Sequence, residues 1–156
     1  MEAQIDIEEL TLEAMEVADL DEVLEIEAEC FSNPWSRRAF KRELTRNRYA
    51  MYLLVRKKNK ILGYIGAWLV LDEAHITTLA VAPAYRQQGV ARFLLEEAWG
   101  RFLNLNIKQV TLEVRVTNTA AQNLYLDYGF QKIGTKEDYY QDNQEDAVIM
   151  WKRIAE

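Results

Sequence analysis

Residues 79 to 91 of this chain read LAVAPAYRQQGVA, and they join a buried strand to an amphipathic helix through a short loop. The apolar run 79–82 predicts the end of a strand, Pro83 interrupts it, and the pattern after Gly89 predicts a helix. Main-chain N–H groups at a helix start, reinforced by the helix dipole, can surround a pyrophosphate. Gly89 and Ala91 would keep side chains away from that anion. The pattern is therefore typical of a diphosphate-binding loop, although a plain loop that starts a helix would explain Gly89 alone.

Two common nucleotide-binding signatures are absent from the sequence. There is no Gly-Lys-Ser/Thr motif for a triphosphate and no G-x-G-x-x-G motif for a dinucleotide. The loop therefore favours a different diphosphate ligand.

The hydrophobic pattern around this loop predicts an α/β fold, with a mixed, mostly antiparallel central sheet flanked by helices. No repeat, low-complexity stretch or linker interrupts residues 1–156, so we expect a single domain. The expected helices are 19–31, one capped by Ser36, 89–103 and 119–128, and the expected strands are 5–12, 49–56, 61–71, 75–82, 109–116, 130–139 and 146–153.

Composition limits the function classes. The chain has 156 residues, a net charge of −6, 49% apolar residues and 28% charged residues, a balance typical of a globular domain. The negative charge argues against a general nucleic-acid binder. The acidic start lacks the apolar core of a signal peptide, and the longest apolar run, 61–71, is too short to span a bilayer. We therefore expect a cytoplasmic protein that binds neither nucleic acid nor membrane, with its oligomeric state left open.

Cys30 is the only cysteine, so no internal disulfide can form. It continues the apolar stripe of Leu20, Val23 and Ile26 on a predicted helix. We therefore expect Cys30 to be a small, buried apolar residue.

One basic cluster follows Ser36, and it consists of Arg37, Arg38, Lys41, Arg42, Arg46 and Arg48. Such a cluster is typical of a solvated helix face. The alternative is that one or two of its side chains hold a phosphate of a cofactor or an acidic part of a substrate.

Two residues are candidates for proton transfer. Residues 110–116 alternate between aliphatic and polar, which places Glu113 on the face opposite the aliphatic layer. Glu113 could form a cross-strand ion pair on a solvated face, or act as a general base that takes a proton from an attacking amine. Tyr125 shares a helical stripe with Ala121 and Tyr128, and that stripe is also compatible with core packing.

The segment Arg86 to Ala91 resembles the Q/R-x-x-G-x-G/A loop of the GCN5-related N-acetyltransferases, which holds the pyrophosphate of coenzyme A. The resemblance runs over essentially the whole chain. It narrows to the ribosomal-protein alanine N-acetyltransferase subgroup through FSNPWS (31–36), AHITTLAV (74–81), LEVR (112–115), YY (139–140) and EDAVIM (145–150). The chain departs from the subgroup at Gln141 and Gln144, where members often carry Pro and Arg. These departures concern the peptide preference rather than the cofactor.

The resemblance implies that the co-substrate is acetyl-coenzyme A and that no metal is required. The backbone of 79–81 would pair with the pantetheine arm, and the N–H of Val81 would polarise the thioester carbonyl. The implied cofactor-binding residues are Leu79, Ala80, Val81, Arg86, Gln87, Gln88, Gly89, Val90, Ala91, Arg92 and Asn118. A helix N-cap is an equally good explanation of Asn118.

The resemblance also implies that Glu113 is the proton acceptor and Tyr125 the proton donor, with direct attack of the amine in a ternary complex. Trp35, Tyr139 and Tyr140 would wall the peptide entrance, although by composition they are more often core or rim aromatic residues. His75, the only histidine, has either a structural role or a role in a water relay toward the amine.

An N-terminal α-amine suits this chemistry better than a lysine does. Its pKa near 7.7–8.0 leaves roughly 10% neutral at pH 7, against well under 0.1% for lysine. The resemblance implies that the substrate is the N-terminal alanine of small-subunit ribosomal protein eighteen, and an acidic enzyme suits a basic ribosomal tail. The alternatives are a relaxed N-terminal or lysine acetyltransferase and a non-catalytic module that binds coenzyme A.

Overall fold

The computed structural model describes residues 5–154. Its four α-helices are α1 (Leu20–Cys30), α2 (Arg37–Thr45), α3 (Val90–Asn104) and α4 (Thr119–Asp127). Its seven strands are β1 (Leu10–Ala14), β2 (Ala50–Lys57), β3 (Lys60–Val70), β4 (Glu73–Val81), β5 (Gln109–Arg115), β6 (Gln131–Lys136) and β7 (Ala147–Arg153).

The strands form one sheet in the order β1-β2-β3-β4-β5-β7-β6. Every neighbouring pair is antiparallel except β4 and β5, which are parallel. The expected mixed, mostly antiparallel α/β sheet is therefore confirmed.

Strands β4 and β5 pair over only four positions, from Glu73 opposite Gln109 to Ile76 opposite Leu112. A β-bulge lies at the same point, where Thr77 is skipped in the register between β4 and β3. A bulge bends the strand that contains it, so it helps β4 to leave β5. Beyond this point the two strands separate at their carboxyl ends and leave a gap in the sheet.

The helices cover the two faces of the sheet and bury two hydrophobic clusters. One cluster contains Leu94 and Phe102 of α3. The other contains Leu20 of α1 and Phe40 of α2, together with Tyr64 of β3. Alternate residues of β2 belong to different clusters, as the period of two of a strand requires.

Local sequence signals explain the helix ends. Ser36 Oγ accepts from the N–H of Ala39 at 3.1 Å, which confirms the predicted N-cap of α2. Gly89 precedes α3 with φ +88°, and Gly129 follows α4 with φ +105°. Both values lie in the left-handed region that favours glycine.

Three expectations about the fold are wrong. Strand 5–12 does not begin at Ile5, because 7–9 form a 3₁₀ turn in which Asp6 accepts from the N–H of Glu8. The strand starts at Leu10 and continues to Ala14. Strand 130–139 ends at Lys136, shortly before the backbone turns at Asp138, where φ is +50°. Cys30 is half-buried rather than buried, since it faces the gap between β4 and β5.

Across residues 5–154, no helix combines the length and the apolar character needed to cross a membrane.

Candidate active site

A cavity of about 550 Å³ occupies the gap between β4 and β5. Leu79 of β4, Glu113 of β5, and Asn118 and Tyr125 of the segment that leads through α4 all line it. The far wall comes from the end of α1 and the loop that follows it, including Trp35. The cavity thus brings together residues as far apart in the sequence as Glu27 and Tyr140.

The edge of β4 offers main-chain groups to this gap. The N–H of Ala82 donates to the carbonyl of Leu62 in β3 at 2.8 Å, so Ala82 and Leu62 form a hydrogen-bonded pair of the antiparallel ladder. Such pairs alternate with non-hydrogen-bonded pairs along an antiparallel ladder, so Val81 and Leu79 direct their main-chain groups away from β3. The carbonyl of Val81 accordingly accepts from Cys30 Sγ at 3.3 Å. The same alternation turns the N–H groups of Val81 and Leu79 toward the gap, where an extended ligand could accept from them.

The start of α3 follows the carboxyl end of β4. Gln87 has φ +62° and Gly89 has φ +88°, so the backbone makes a tight turn before the helix. The first N–H groups of an α-helix have no partner within the helix, and an anion is their natural acceptor. This geometry suits a diphosphate at the start of α3.

The side chains of Arg86, Gln88 and Arg92 already have protein partners. Arg86 donates to the carbonyl of Val81 at 3.4 Å, and Gln88 donates to that of Ala84 at 3.3 Å. Arg92 pairs with Glu96 at 3.0 Å. An anion at this loop would therefore be held mainly by the main chain.

The predicted cofactor residues fall into two groups. Leu79 and Asn118 line the large cavity, whereas Ala80 and Val81 are buried at the end of β4 and Val90 is buried as the first residue of α3. The loop residues 86–92 are not among those that line the cavity. Asn118 is also the N-cap of α4, because its Oδ1 accepts from the N–H of Ala121 at 3.1 Å.

Glu113 sits at the centre of a charged network. Its Oε2 lies 3.0 Å from Nε2 of His75, and its Oε1 lies 2.7 Å from Nζ of Lys136. Nδ1 of His75 lies 2.9 Å from the Thr111 hydroxyl. The hydrogen bond from His75 and the ammonium of Lys136 together lower the pKa of Glu113 to about 2. Its side chain is only 14% exposed. The expected ion pair of Glu113 therefore exists, within a cavity rather than on a solvated face.

Tyr125 lines the large cavity on the α4 side. Its ring packs against Phe130 with 5.4 Å between centroids, and burial raises the pKa of its hydroxyl above the ordinary value. Among residues 5–154 no hydrogen bond is recorded for that hydroxyl. Tyr125 thus combines the expected core packing with a protonated hydroxyl at the cavity wall.

A second cavity of about 280 Å³ adjoins the first. Trp68, His75 and Tyr139 line only this smaller cavity. Both cavities are lined by Trp35, Ile76, Thr77, Glu113 and Tyr140. The predicted aromatic walls, Trp35, Tyr139 and Tyr140, are therefore brought together, and the carboxylate of Glu113 lies between the two spaces.

Glu27 was missed by the sequence analysis although it lines the large cavity. It is only 4% exposed, and it accepts from the N–H of Trp35 at 2.9 Å and from the hydroxyl of Tyr64. Burial raises the pKa of its carboxyl. The available signal was a charged residue on the apolar stripe of α1. Glu27 fixes the loop that places Trp35 at the cavity.

Arg115 was also missed, although it shares the strand face of Glu113. It holds Asp142 through both carboxylate oxygens at 3.0 and 3.1 Å and contacts Glu145 at 3.2 Å. Its guanidinium lies 4.0 Å from the centre of the Tyr140 ring. Ser32 donates to Asp142 from the opposite wall. Arg115 therefore fixes the β6–β7 loop over the site.

The basic cluster after Ser36 does not contribute to either cavity wall. All six of its side chains are exposed, and Arg37 pairs with Asp21. This placement favours the solvated helix face over the alternative of a phosphate contact.

Comparison with known proteins supports the resemblance. The family model described as acetyltransferase (GNAT) family matches residues 20–130. A protein of Bacillus subtilis (strain 168), named as a candidate ribosomal protein bS18-alanine N-acetyltransferase, is 43% identical over 142 residues, which cover 91% of this chain and 94% of that protein. The ribosomal protein bS18-alanine N-acetyltransferase of Escherichia coli (strain K12) is 34% identical, covering 90% of this chain and 95% of that protein.

The structural comparison agrees with these similarities. The crystal structure of the ribosomal-protein-S18-alanine N-acetyltransferase from Escherichia coli matches with a TM-score of 0.86 and 31% identity, covering 94% of this chain and 95% of that one. The overall fold of this chain therefore has a known counterpart, and the chain belongs to the acetyltransferase (GNAT) family of acyltransferases.

Proposed function

We propose that this enzyme transfers the acetyl group of acetyl-coenzyme A to the N-terminal α-amine of a protein, and that its substrate is the N-terminal alanine of ribosomal protein bS18. The names of the relatives at 43% and 34% identity, both of which specify the alanine of ribosomal protein bS18, support this substrate. The net charge of −6 suits a basic ribosomal tail, and a ribosomal substrate would place the enzyme in the cytoplasm.

One observation carries the proposal: two adjoining cavities share Glu113 as a common wall. The larger cavity runs along the splayed edge of β4, which suits a long ligand, and the helix start that follows β4 suits a diphosphate. The smaller one is open to the outside between aromatic side chains, which suits a peptide end. This arrangement fits two substrates that enter from different sides and meet at one carboxylate.

The residues have distinct roles in the proposed transfer. Acetyl-coenzyme A supplies the activated acetyl group when bound. The amine nitrogen forms a bond to the acetyl carbon while the carbon–sulfur bond breaks, and the N–H of Val81 polarises the carbonyl. Glu113 accepts the proton that the amine loses, directly or through one water. Tyr125 donates a proton to the departing sulfur and regains one from solvent.

The electrostatics of the two proton-transfer groups fit these roles. Hydrogen bonding and ion pairing keep Glu113 ionised, and burial keeps Tyr125 protonated. A group of each kind contributes roughly 10²–10⁴ to a rate. Since roughly 10% of an α-amine is neutral at pH 7, even a weakly basic carboxylate can assist it.

A single peptide tests the proposal. A synthetic peptide with the N-terminal sequence of bS18 and one internal lysine is incubated with enzyme and acetyl-coenzyme A, and fragment mass spectrometry locates the acetyl group. We expect acetylation at the α-amine only, with none on a control peptide whose N-terminus is blocked. Acetylation confined to lysine would contradict the proposal.

Replacing the first residue by Ser, Gly or Met separates a dedicated enzyme from one with relaxed specificity. A dedicated enzyme acetylates these variants at least tenfold more slowly. Binding of acetyl-coenzyme A without modification of any peptide would indicate a non-catalytic module instead.

A further inference from the structure

Lys136, the last residue of β6, places its ammonium in a site built for a cation. Its Nζ lies 2.7 Å from Oε1 of Glu113 and 5.2 Å from the centre of the Tyr139 ring. A carboxylate beside an aromatic face is a combination that recognises an ammonium group. Glu113 and Tyr139 both line the smaller cavity, through which the peptide would enter. The position that suits a substrate ammonium is therefore already occupied by the ammonium of Lys136.

The incoming amine has no second position on Glu113 of equal quality. The other carboxylate oxygen, Oε2, is engaged by Nε2 of His75. A second ammonium added at Oε1 beside Lys136 would be repelled at short range. The substrate must therefore either displace Lys136 or bind without the carboxylate.

Lys136 is able to leave. Its side chain is 48% exposed, and the backbone departs from the strand immediately after it, at Asp138. An ion pair that exposed is weak, and a lysine has a flexible four-carbon stem. Arg115, by contrast, is tied to Asp142 and Glu145 and cannot replace it at Glu113.

We infer that Lys136 is an internal stand-in for the α-ammonium of the substrate, which occupies the cation position between Glu113 and Tyr139 in the free enzyme and is displaced when the peptide binds. This inference rests on the proposed function, because it requires an ammonium-bearing substrate.

Displacement of Lys136 also changes the basicity of Glu113. The charged or titratable groups that face Glu113 are His75 from β4, Lys136 from β6 and Tyr140 from the following loop. While Lys136 is in place, the pKa of Glu113 stays low. Once Lys136 has moved and the amine is neutral, one of the two groups that lower this pKa is gone. Peptide binding would thereby make Glu113 a stronger base at the moment it is needed.

Steady-state kinetics with a bS18 peptide test the inference, with Lys136→Met compared with Lys136→Arg. Lys132→Met is the matched control, because Lys132 is an exposed lysine on the same strand. Removing the competing cation should lower the peptide KM of Lys136→Met about two- to fivefold, as expected for loss of an exposed ion pair. Its kcat should stay at or above the wild-type value. Lys136→Arg and Lys132→Met should keep the wild-type KM within twofold.

An unchanged or higher KM in Lys136→Met would overturn the inference and make Lys136 a residue that orients Glu113. Failure of the wild-type protein to acetylate any peptide would contradict the proposed function instead, so the two failures are distinguishable.

A measurement without turnover gives an independent answer. In protein labelled with ¹⁵N-lysine, the Nζ signal of Lys136 is identified by its loss in Lys136→Arg. Addition of peptide and coenzyme A should shift that signal toward the position of a solvated lysine. A signal that stays unchanged at saturating peptide would overturn the inference, whether or not the peptide is acetylated.

Discussion

Nε2 of His75 lies 3.0 Å from Oε2 of Glu113, while Nδ1 of the same ring lies 2.9 Å from the hydroxyl oxygen of Thr111. One ring therefore links the Thr111 hydroxyl and the Glu113 carboxylate, two neighbouring residues of the same β5 face. We propose that His75 is a positioning residue for Glu113.

His75→Leu should lower kcat about tenfold and leave the KM for acetyl-coenzyme A unchanged, because the carboxylate loses its fixed orientation while the cofactor gap stays intact. His75→Gln should recover much of the loss, since its amide nitrogen can donate from a similar position. The split between kcat and KM is measured at saturating cofactor. Equal activity of His75→Leu and the wild type would show that the histidine only packs against Trp68.

The pH dependence of the reaction should come from the substrate rather than from Glu113. The pKa of Glu113 is lowered to about 2, so the carboxylate remains ionised throughout pH 5–9. Burial raises the pKa of Tyr125, so the hydroxyl remains protonated over the same range. For an Ala peptide, kcat/KM should therefore rise with pH, with a midpoint at the α-amine pKa of about 8, and level off about one pH unit above it. A rise centred at pH 4–6 would mean that Glu113 titrates in the working range.

Tyr125→Phe should reduce kcat roughly 10²–10⁴-fold without a large change in melting temperature, because the proposed proton donor is lost while the ring retains its packing against Phe130. Tyr128→Phe is the matched control, since Tyr128 lies one turn away and packs against Trp99. We expect the control to keep kcat within twofold. A similar kcat loss in both variants, or a large fall in melting temperature, would assign Tyr125 a structural role.

Arg115→Met should raise the peptide KM about tenfold with little change in the KM for acetyl-coenzyme A. Arg115 fixes Asp142, Glu145 and Tyr140, and these belong to the loop over the peptide side. Arg101→Met, on the far end of α3, serves as the control and should keep both KM values. An effect of Arg115→Met on the cofactor KM alone would contradict this division of roles.

Much of the fold could be predicted because its signals are local. The loop at Gly89, the cap at Ser36 and the alternation around Glu113 each depend on neighbouring residues, and the structure places all three as expected. The predicted start of the first strand was wrong, and the reason is also local. The side chain of Asp6 accepts from the main chain and forms a turn where the apolar pattern favoured a strand.

The site was less predictable because it depends on the order of strands. Lys136 reaches Glu113 across β7, which lies between β6 and β5, and no spacing in the sequence reveals that order. The resemblance was sufficient to predict the aromatic residues at the peptide entrance. The contacts that hold these residues in place are visible only in the three-dimensional structure. Glu27 fixes Trp35 from the preceding helix, and Arg115 fixes Tyr140 from a different strand.

The most direct test of the central claim is release of free thiol from acetyl-coenzyme A with a panel of N-terminal peptides, comparing the wild type with Glu113→Gln and Tyr125→Phe. We expect release that requires an Ala-starting peptide with a free α-amine and that falls at least tenfold in both variants. Undiminished release in both variants would contradict the proposed proton transfers, and release that does not depend on a free α-amine would contradict the proposed substrate.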